Sequence, residues 1–354
     1  MKIQNTLKMV LVFFLATVFV LMGCSNGEEN SMLDNPYFQF HPLPDIYQEM
    51  IDEGLAVSWL NVSTMETLNL SRDQQFMYHD IQLDNFDAEL GAIVSNVSPD
   101  DREFMIRIFL NYEEVGFRVL GKEDYVNEFT FSVPAKHELY IPFVVDTSKM
   151  NENETHRLSV VQIVEPSLHA VDIEHLFWPN RVFLQVVPID LTIGTPSEIR
   201  LARTHDDIDI RRQENRREGF NVFPADYDEF IIDEFLRVTS SEAIKLNYVK
   251  PSFDSINWEG EDEPLEELIL SAYILIAMLN GQPIEINGNP YLFINVDEHD
   301  YYSFTDFGSF TITAPTEPGS YDLIVIAFPN PTMILTDENM SIPIESVRFT
   351  IEVE

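Results

Sequence analysis

The chain has 354 residues, of which 60 are acidic and 21 are basic, and its formal net charge is −39. A surface this acidic repels nucleic acid and anionic headgroups, so we exclude nucleic acid as a partner. The charge is consistent with solubility of an exposed protein, with binding of cations such as Ca²⁺, or with steering of a basic partner. Hydrophobic residues make up 45% of the chain and aromatic residues 12%, which favours packed cores over disorder.

The N-terminus predicts a secretory signal peptide. Lys2 and Lys8 precede an apolar run from Met9 to Met22. This run is shorter than the roughly 20 residues that a membrane-spanning helix needs. A short apolar run after a basic start is typical of a signal peptide.

The end of the run, Leu21-Met22-Gly23-Cys24, resembles the lipobox of bacterial lipoproteins. The resemblance implies that residues 1–23 are removed and that Cys24 becomes a diacylated N-terminus. Two acyl chains are sufficient for stable anchoring, so we expect a protein attached by lipid to the extracytoplasmic face of a bacterial membrane. A Gram-positive membrane and an outer membrane both remain open. Cys24 is the only cysteine, so no internal disulfide forms and stability depends on packing.

Residues 24–54 are expected to form a tether. The part up to Leu43 is polar, contains prolines and has no hydrophobic periodicity. Two i, i+4 apolar pairs between Ile46 and Ile51, followed by Gly54, predict one short helix at its end.

From Leu55 onwards the hydrophobic period changes to two. Phe104–Leu110 and Phe129–Val133 alternate apolar and polar residues, and turn residues separate such segments at near-regular intervals. This pattern predicts an all-β chain with two tandem Ig-like β-sandwich domains, at residues 55–195 and 196–354.

The second half of the chain repeats the first with a nearly constant offset. Leu110-Asn111 corresponds to Leu279-Asn280. The other matches are the strand 129–133 with 292–296, the set Leu158, Val160 and Pro166 with Leu323, Val325 and Pro331, and Phe183 with Phe349. We therefore predict that domain 2 is a divergent repeat of domain 1, with the boundary near Gly194.

The segment from Pro264 to Gly281 has conflicting signals. Its proline, its early acidic residues and its final glycine favour a helix. The repeat instead aligns Ala272–Leu279 with the strand ending at Leu110, and Asn280-Gly281 and Asn287-Gly288 are strong hairpin signals. We predict a strand.

No contiguous catalytic motif occurs in the sequence. It has no Gly-x-Ser-x-Gly elbow, no Gly-rich phosphate loop and no His-Glu-x-x-His zinc motif. The lipobox resemblance implies that a lipid occupies Cys24, which would remove it as a nucleophile. We predict a protein without enzymatic activity and keep an enzyme with a non-contiguous site as an alternative.

The best metal candidates are His169, Asp172, Glu174 and His175. Imidazole and carboxylate groups suit Zn²⁺. On a strand, however, the two histidines would lie on one face and the two acids on the other. We therefore favour an ordinary polar loop and predict no metal site there.

Two acidic stretches are candidates for Ca²⁺. They run from Glu259 to Glu267 and from Asp297 to Asp300. Neither has the EF-hand register, so we interpret both as solvated loops and expect no cofactor, with Ca²⁺ as the alternative.

Two segments are candidates for partner binding. Phe177-Trp178 precedes the last strand of domain 1, where an aromatic tip could stack on a sugar or anchor a protein, although tryptophan is more often part of a core. The segment 200–219 concentrates basic residues, and its candidate docking residues are Arg211, Arg212, Arg216 and Arg217. A solvated, salt-bridged loop is the alternative there.

The leading functional hypothesis is a non-enzymatic binding protein of the bacterial envelope whose partner is another envelope protein. β-Sandwiches carry many unrelated functions, so the fold alone does not select one. The alternatives are a solute- or glycan-binding lipoprotein, an envelope enzyme and a structural spacer.

Overall fold

The computed structural model describes residues 35–48, 50, 58–64, 79–83, 85–86, 89–169, 184–195, 221–225, 235–249, 272–295, 307–329, 331 and 345–354. Residues 1–38 form one unit and residues 39–354 a second, compact one. Among the described residues, no helix has the length and apolar character that crossing a bilayer requires. Cys24 and the predicted signal peptide lie outside the described residues.

The described strands form four sheets, and the N-terminal half contributes the first two. Sheet 1 is antiparallel, with the order β1 (Gln39–Pro42), β9 (His137–Val145), β4 (Leu90–Asn96) and β2 (Ser58–Thr64), and β7 (Phe117–Val119) also pairs with β9. Sheet 2 has the order β3 (His79–Leu83), β11 (Leu184–Ile193), β10 (Thr155–Val164), β5 (Arg102–Leu110) and β6 (Glu113–Glu114), and β8 (Glu128–Val133) also pairs with β5.

The C-terminal half contributes the other two sheets. Sheet 3 has the order β13 (Phe235–Val238), β20 (Glu345–Val353), β19 (Gly319–Pro329), β15 (Ala272–Leu279) and β16 (Gln282–Ile284), and β17 (Leu292–Asn295) also pairs with β15. Sheet 4 consists of β12 (Asn221–Pro224), β14 (Ala243–Val249) and β18 (Phe307–Thr313). The prediction of an all-β fold built from packed sheets is confirmed.

Sheets 2 and 3 have the same strand order and the same parallel edge pair, β3 with β11 and β13 with β20. Leu158 lies opposite Leu110, just as Leu323 lies opposite Leu279. The repeat matches in these central strands therefore hold in three dimensions. The division into two domains stays a prediction, because a shared strand order does not show that each half is an independent unit.

The repeat match in the last strand is wrong. Leu158 pairs with Ile189, whereas Leu323 pairs with Phe349. The counterpart of Phe349 is therefore Ile189 and not Phe183. Phe183 itself lies outside the described residues.

The ambiguous segment is a strand over Ala272–Leu279, as predicted. Asn280 and Gly281 form its turn, with φ values of 47° and 74°, and Leu279 pairs with Gln282 across it. Positive φ at both positions is the type I′ hairpin geometry that Asn-Gly favours. A side chain at position 281 would also lie only 3.1 Å from the sulfur of Met105.

The short helix predicted near residue 46 begins as a 3₁₀ turn at Asp45–Tyr47. The Tyr47 N–H donates to the Pro44 carbonyl at 3.1 Å. Pro44 has the fixed φ that suits the start of such a turn. Ile51 and Gly54, on which the prediction also depended, lie outside the described residues.

The sheets stack in the order 1, 2, 3, 4. Gln162 of β10 donates to the Ser58 hydroxyl of β2 at 3.0 Å, so the even-numbered β10 residues face sheet 1. Because side chains alternate along a strand, the odd-numbered ones face away from it. Those side chains pack against sheet 3 in a cluster that we call the central interface, formed by Met105, Phe109, Tyr112, Val161, Ile163, Ile274, Ile276, Met278, Ile324, Ile326 and Phe328.

The opposite face of sheet 3 packs against sheet 4 in a second apolar cluster. It joins Leu275 and Val325 of sheet 3 to Leu246 and Phe310 of sheet 4. Sheets 2 and 3 are therefore buried on both faces, so β10 is buried along its whole length, its polar residues included, and β15 is a nearly continuous apolar run.

We expect Ile276→Ala to destabilise the protein by about 2–5 kcal/mol, because it opens a cavity in the central interface. Ile276 is 1% exposed. The measurement is the free energy of unfolding from urea denaturation of the full chain. Lys245→Ala is the control, because Lys245 is exposed on sheet 4 and surface changes are usually within about 0.5 kcal/mol. Equal stability of the two variants would contradict the packing of sheet 2 against sheet 3 at the central interface.

Candidate functional site

Arg348 joins the last strand to the N-terminal half of the protein. Its Nη1 donates to the Val164 carbonyl at 3.0 Å and its Nη2 donates to the Glu165 carbonyl at 3.1 Å. Nη2 also donates to the carbonyl of Leu168. Three carbonyls of the turn after β10 therefore bind one guanidinium from β20.

The Asp322 carboxylate orients this guanidinium. Arg348 Nε donates to Asp322 Oδ2 at 2.6 Å, and Thr350 Oγ1 donates to Asp322 Oδ1 at 3.0 Å. The Arg348 and Asp322 side chains are 8% and 5% exposed. Such a pair is costly to bury and is stable only when hydrogen bonds satisfy the remaining polar atoms, as they do here.

Two side chains at this turn remain accessible. Leu168 is 39% exposed. The His169 side chain is 33% exposed, and its Nδ1 lies 3.6 Å from Asp322 Oδ1. Burial raises the pKa of the neighbouring Glu165 carboxyl, and the Arg102 guanidinium opposes this shift.

We call the arrangement of Arg348, Asp322, Thr350 and the 164–169 turn the loop base, because residues 170–183 follow directly. The predicted tip Phe177-Trp178 belongs to that following segment and lies outside the described residues. The four candidate arginines, Arg211, Arg212, Arg216 and Arg217, also lie outside them. The structure thus describes the turn that precedes one predicted binding segment, and neither segment itself.

Of the four metal candidates, only His169 is described. Its carboxylate neighbour is Asp322, from the other half of the chain. Asp172, Glu174 and His175 lie outside the described residues, and so do both acidic stretches considered for Ca²⁺. Within the described part, no group of three or more His, Cys, Asp or Glu side chains is placed to hold a metal ion.

Sequence reasoning missed Arg348 and Asp322. Each is a charged residue inside an apolar strand, which is a weak signal that a buried partner exists. The sequence does not give the register that places them side by side, so it does not pair them.

Three other buried arginines, Arg102, Arg107 and Arg157, lie in sheet 2. Arg107 is fully buried and its two amino groups donate to Glu114 and Glu128. Gln282, from the C-terminal half, also donates to Glu128, at 2.6 Å. Arg157 donates to its cross-strand neighbour Asp190 at 2.7 Å.

The two outermost faces of the stack differ in character. The outer face of sheet 4 presents exposed Lys245, Ser309 and Thr313. The outer face of sheet 1 instead presents half-buried Trp59 and Tyr140. Burial raises the pKa of Tyr140 to about 12, and the Glu89 carboxylate makes a smaller contribution in the same direction.

The polar atoms of that outer face of sheet 1 are shielded. Trp59 Nε1 and the Tyr140 hydroxyl are buried, and neither has a hydrogen-bond partner among the described residues. This face therefore departs from the alternation of buried and solvated residues that a sheet with one solvent-facing side shows. No pattern in the sequence predicts this shielding.

Comparison with known proteins identifies no family. No protein-family model matches the chain, and no curated protein matches it. Among solved structures, it is similar to the Escherichia coli chaperone DraB, with 8% identity, 84% of this chain and 98% of that chain covered, and a TM-score of 0.24. It is also similar to the C-terminal domain of the Streptococcus agalactiae AgI/II polypeptide BspA, with 12% identity, 83% and 99% covered, and a TM-score of 0.20.

A third similar structure is red sea bream transglutaminase, with 11% identity and a TM-score of 0.20. The match covers 84% of this chain but only 31% of the transglutaminase, so the chain spans about a third of that enzyme's length. Similarity at these levels carries no information about function. The fold class is established by the four sheets themselves.

We expect Arg348→Met to lower the free energy of unfolding by roughly 3–5 kcal/mol, because it leaves the buried Asp322 carboxylate without its counter-charge. Denaturant unfolding of the full chain measures the change. Arg237→Met is the matched control, because the Arg237 side chain is 69% exposed where it meets Glu352 of the same strand β20. An exposed pair contributes at most about 1 kcal/mol.

The double variant Arg348→Met, Asp322→Leu removes both charges. We expect it to recover much of the stability lost in the single variant, since no buried charge is then left unpaired. A double variant no more stable than Arg348→Met would show that the lost carbonyl contacts, and not the charge, dominate.

Proposed function

We propose that this protein is a lipid-anchored, non-enzymatic binding protein on the extracytoplasmic face of a bacterial membrane. The basic start, the short apolar run and the lipobox-like end at Cys24 support the location. The binding role is supported by the construction of the loop base. We propose an envelope protein as the partner.

The observation that carries the binding role is that Arg348 holds the 164–169 turn, which precedes the 170–183 segment in the chain. Its side chain binds three carbonyls of the turn that leads into this segment. Binding loops are commonly surface segments positioned by a rigid scaffold. A binding site is more precise when its supporting contacts are fixed before the partner arrives. Phe177 and Trp178 are the residues of this segment that we propose contact the partner.

The non-enzymatic role is supported by how the buried charges are used. Arg107, Arg157 and Arg348 are each paired with carboxylates inside the sheets. A structural ion pair accounts for each of these buried charges without a catalytic role. The acidic surface favours a partner with basic groups, and we propose Arg211, Arg212, Arg216 and Arg217 as a second, oppositely charged docking segment.

The partner is identified by chemical cross-linking of the full-length protein on living cells, followed by affinity purification and mass spectrometry. We expect one dominant envelope protein, whose yield falls at least about tenfold in Trp178→Ala, because interface tryptophans commonly contribute 2 kcal/mol or more. Tyr125→Ala is the control, because Tyr125 is 49% exposed elsewhere in the N-terminal half. Equal capture of the partner by the Trp178→Ala variant and the wild type would reject the proposal that the Phe177-Trp178 tip contacts the partner.

Absence of any specific protein partner would reject the protein-binding role and favour the alternatives. Stabilisation by a glycan or another solute in a thermal-shift screen would indicate a solute-binding lipoprotein. Stabilisation by Ca²⁺ would indicate that the acidic stretches bind this ion. No stabilisation at all, with Trp178 tolerant of substitution, would indicate a spacer, and turnover of an envelope substrate would indicate an enzyme.

The anchor is tested separately. We expect Cys24→Ala to release the protein from the membrane fraction or to accumulate an uncleaved precursor, because the acylation site is lost. Detergent partitioning and intact-mass measurement of both forms give the result. Ser25→Ala is the neighbouring control and should remain in the detergent phase. If the Cys24→Ala variant had its mature mass and still associated with the membrane, the proposed lipid anchor at Cys24 would be rejected.

A further inference from the structure

The turn between β5 and β6 is strained at a tyrosine. Asn111 and Tyr112 have φ values of 49° and 69°, the type I′ pattern seen at Asn280 and Gly281 in the other half. Glycine adopts this conformation freely, whereas a side chain at positive φ costs about 1–2 kcal/mol. Tyr112 therefore needs favourable contacts to remain in this conformation.

The central interface provides those contacts. Tyr112 is 5% exposed. Its ring meets Tyr291 and Phe328 edge to face at centroid distances of 6.3 Å and 5.4 Å. Its hydroxyl donates to the Pro331 carbonyl at 3.3 Å, and burial is the main reason that its pKa rises to about 12. This one turn of the N-terminal half thus contacts three residues of the C-terminal half.

Asn111 fixes the other side of the turn. Its backbone N–H donates to the Arg157 carbonyl at 2.7 Å, and its Oδ1 accepts the Arg157 N–H at 3.1 Å. Because Oδ1 is used in this way, the amide nitrogen points in the other direction. Asn111 Nδ2 lies 2.9 Å from Nδ1 of His156.

His156 lies between two N–H donors. Its side chain is 2% exposed, and its Nε2 lies 3.3 Å from the backbone nitrogen of Asn151. A neutral imidazole has one lone pair and can accept one of these N–H groups. We assign Nδ1 as the acceptor, because the Asn111 amide nitrogen lies closer to the ring, at 2.9 Å against 3.3 Å for the Asn151 nitrogen. An imidazolium has none, so it directs N–H groups at the Asn111 amide and at the Asn151 N–H.

The charged side chain facing the imidazole among the described residues is Glu154, whose carboxylate lies 4.0 Å from Nε2 and is 47% exposed. The other neighbours are Asn111 from the β5–β6 turn, Asn151 from the preceding loop and Leu191, its pairing partner on β11. Burial lowers the pKa of His156, against the opposing effects of Glu154 and the Asn151 backbone.

We propose that His156 is a proton-sensitive switch of the β5–β6 turn: from the sheet 1 face of β10 the neutral imidazole holds Asn111, whose neighbour Tyr112 packs in the central interface, and protonation releases the turn. The physical basis is the geometry of the turn. A charged, buried imidazole loses its acceptor contact with Asn111, which in turn supports the strained Tyr112. Acidification therefore loosens the contact between the two halves first at this turn.

The direction of the pH effect follows from the lowered pKa. Below the unfolded-state value of about 6.5, the unfolded or open form takes up a proton and the native form does not. The contribution of His156 is therefore present above about pH 6.5 and is lost as pH falls towards the native pKa. With one proton involved, the opening equilibrium shifts by at most about tenfold per pH unit.

The test is hydrogen–deuterium exchange of the full chain between pH 7.5 and 5, corrected for intrinsic exchange, with peptides covering residues 105–116. We expect wild-type protection to fall by several-fold or more across this range. In His156→Asn the amide oxygen replaces Nδ1 as the acceptor and does not titrate, so protection should no longer depend on pH. His137→Asn is the matched control, because His137 is a half-buried strand histidine whose Nδ1 contacts the Ala135 carbonyl, and it should keep the wild-type profile.

Glu154→Gln provides a second variant on an exposed side chain, which keeps the test usable if His156→Asn does not fold. Removing this carboxylate removes a group that favours the imidazolium, so the native pKa of His156 falls further below that of the open form and we expect a larger loss of protection between pH 7.5 and 5 than in the wild type. The proposal is overturned if the pH profile is unchanged in both variants, or if the wild-type 105–116 peptides show no pH dependence beyond intrinsic exchange.

Discussion

The central interface is the contact on which the rest of this structure depends. It packs sheet 2 against sheet 3, so both sheets are buried on both faces. For this reason the central strands of both sheets are buried along most of their length, and solvent-facing residues concentrate on the outer sheets and in loops. The same burial forces each charged group within the inner sheets to find a partner, because an unpaired buried charge costs several kcal/mol.

The charged groups at the border of this interface connect the two halves of the chain. Gln282 donates a hydrogen bond to Glu128, which also pairs with Arg107. Arg348 donates to the turn after β10. These hydrogen bonds are directional, whereas the apolar packing of the interface has little directionality of its own. They also relate the fold to the proposed function, because Arg348 holds the turn that precedes the segment with Trp178 in the chain.

The Asn111–Tyr112 turn shows how a repeat can acquire a new property. The C-terminal half has Asn-Gly at the equivalent turn and incurs no strain there, whereas the N-terminal half has tyrosine and must stabilise it by contacts. The contacts come from the opposite half and, through Asn111, from a buried histidine. One glycine-to-tyrosine difference between the halves thus makes a local turn dependent on tertiary packing.

The sequence by itself determined the strand content, the Asn280-Gly281 hairpin and the equivalence of Leu110-Asn111 with Leu279-Asn280, because period-two alternation and positive-φ turns are local properties. It did not determine the register of β11, the pairing of Arg348 with Asp322, or the burial of His156. It also predicted a binding segment at Phe177-Trp178 without indicating what holds the turn that precedes it. Only the tertiary structure decided these features, because each depends on side chains that are distant along the chain and meet only when the sheets pack.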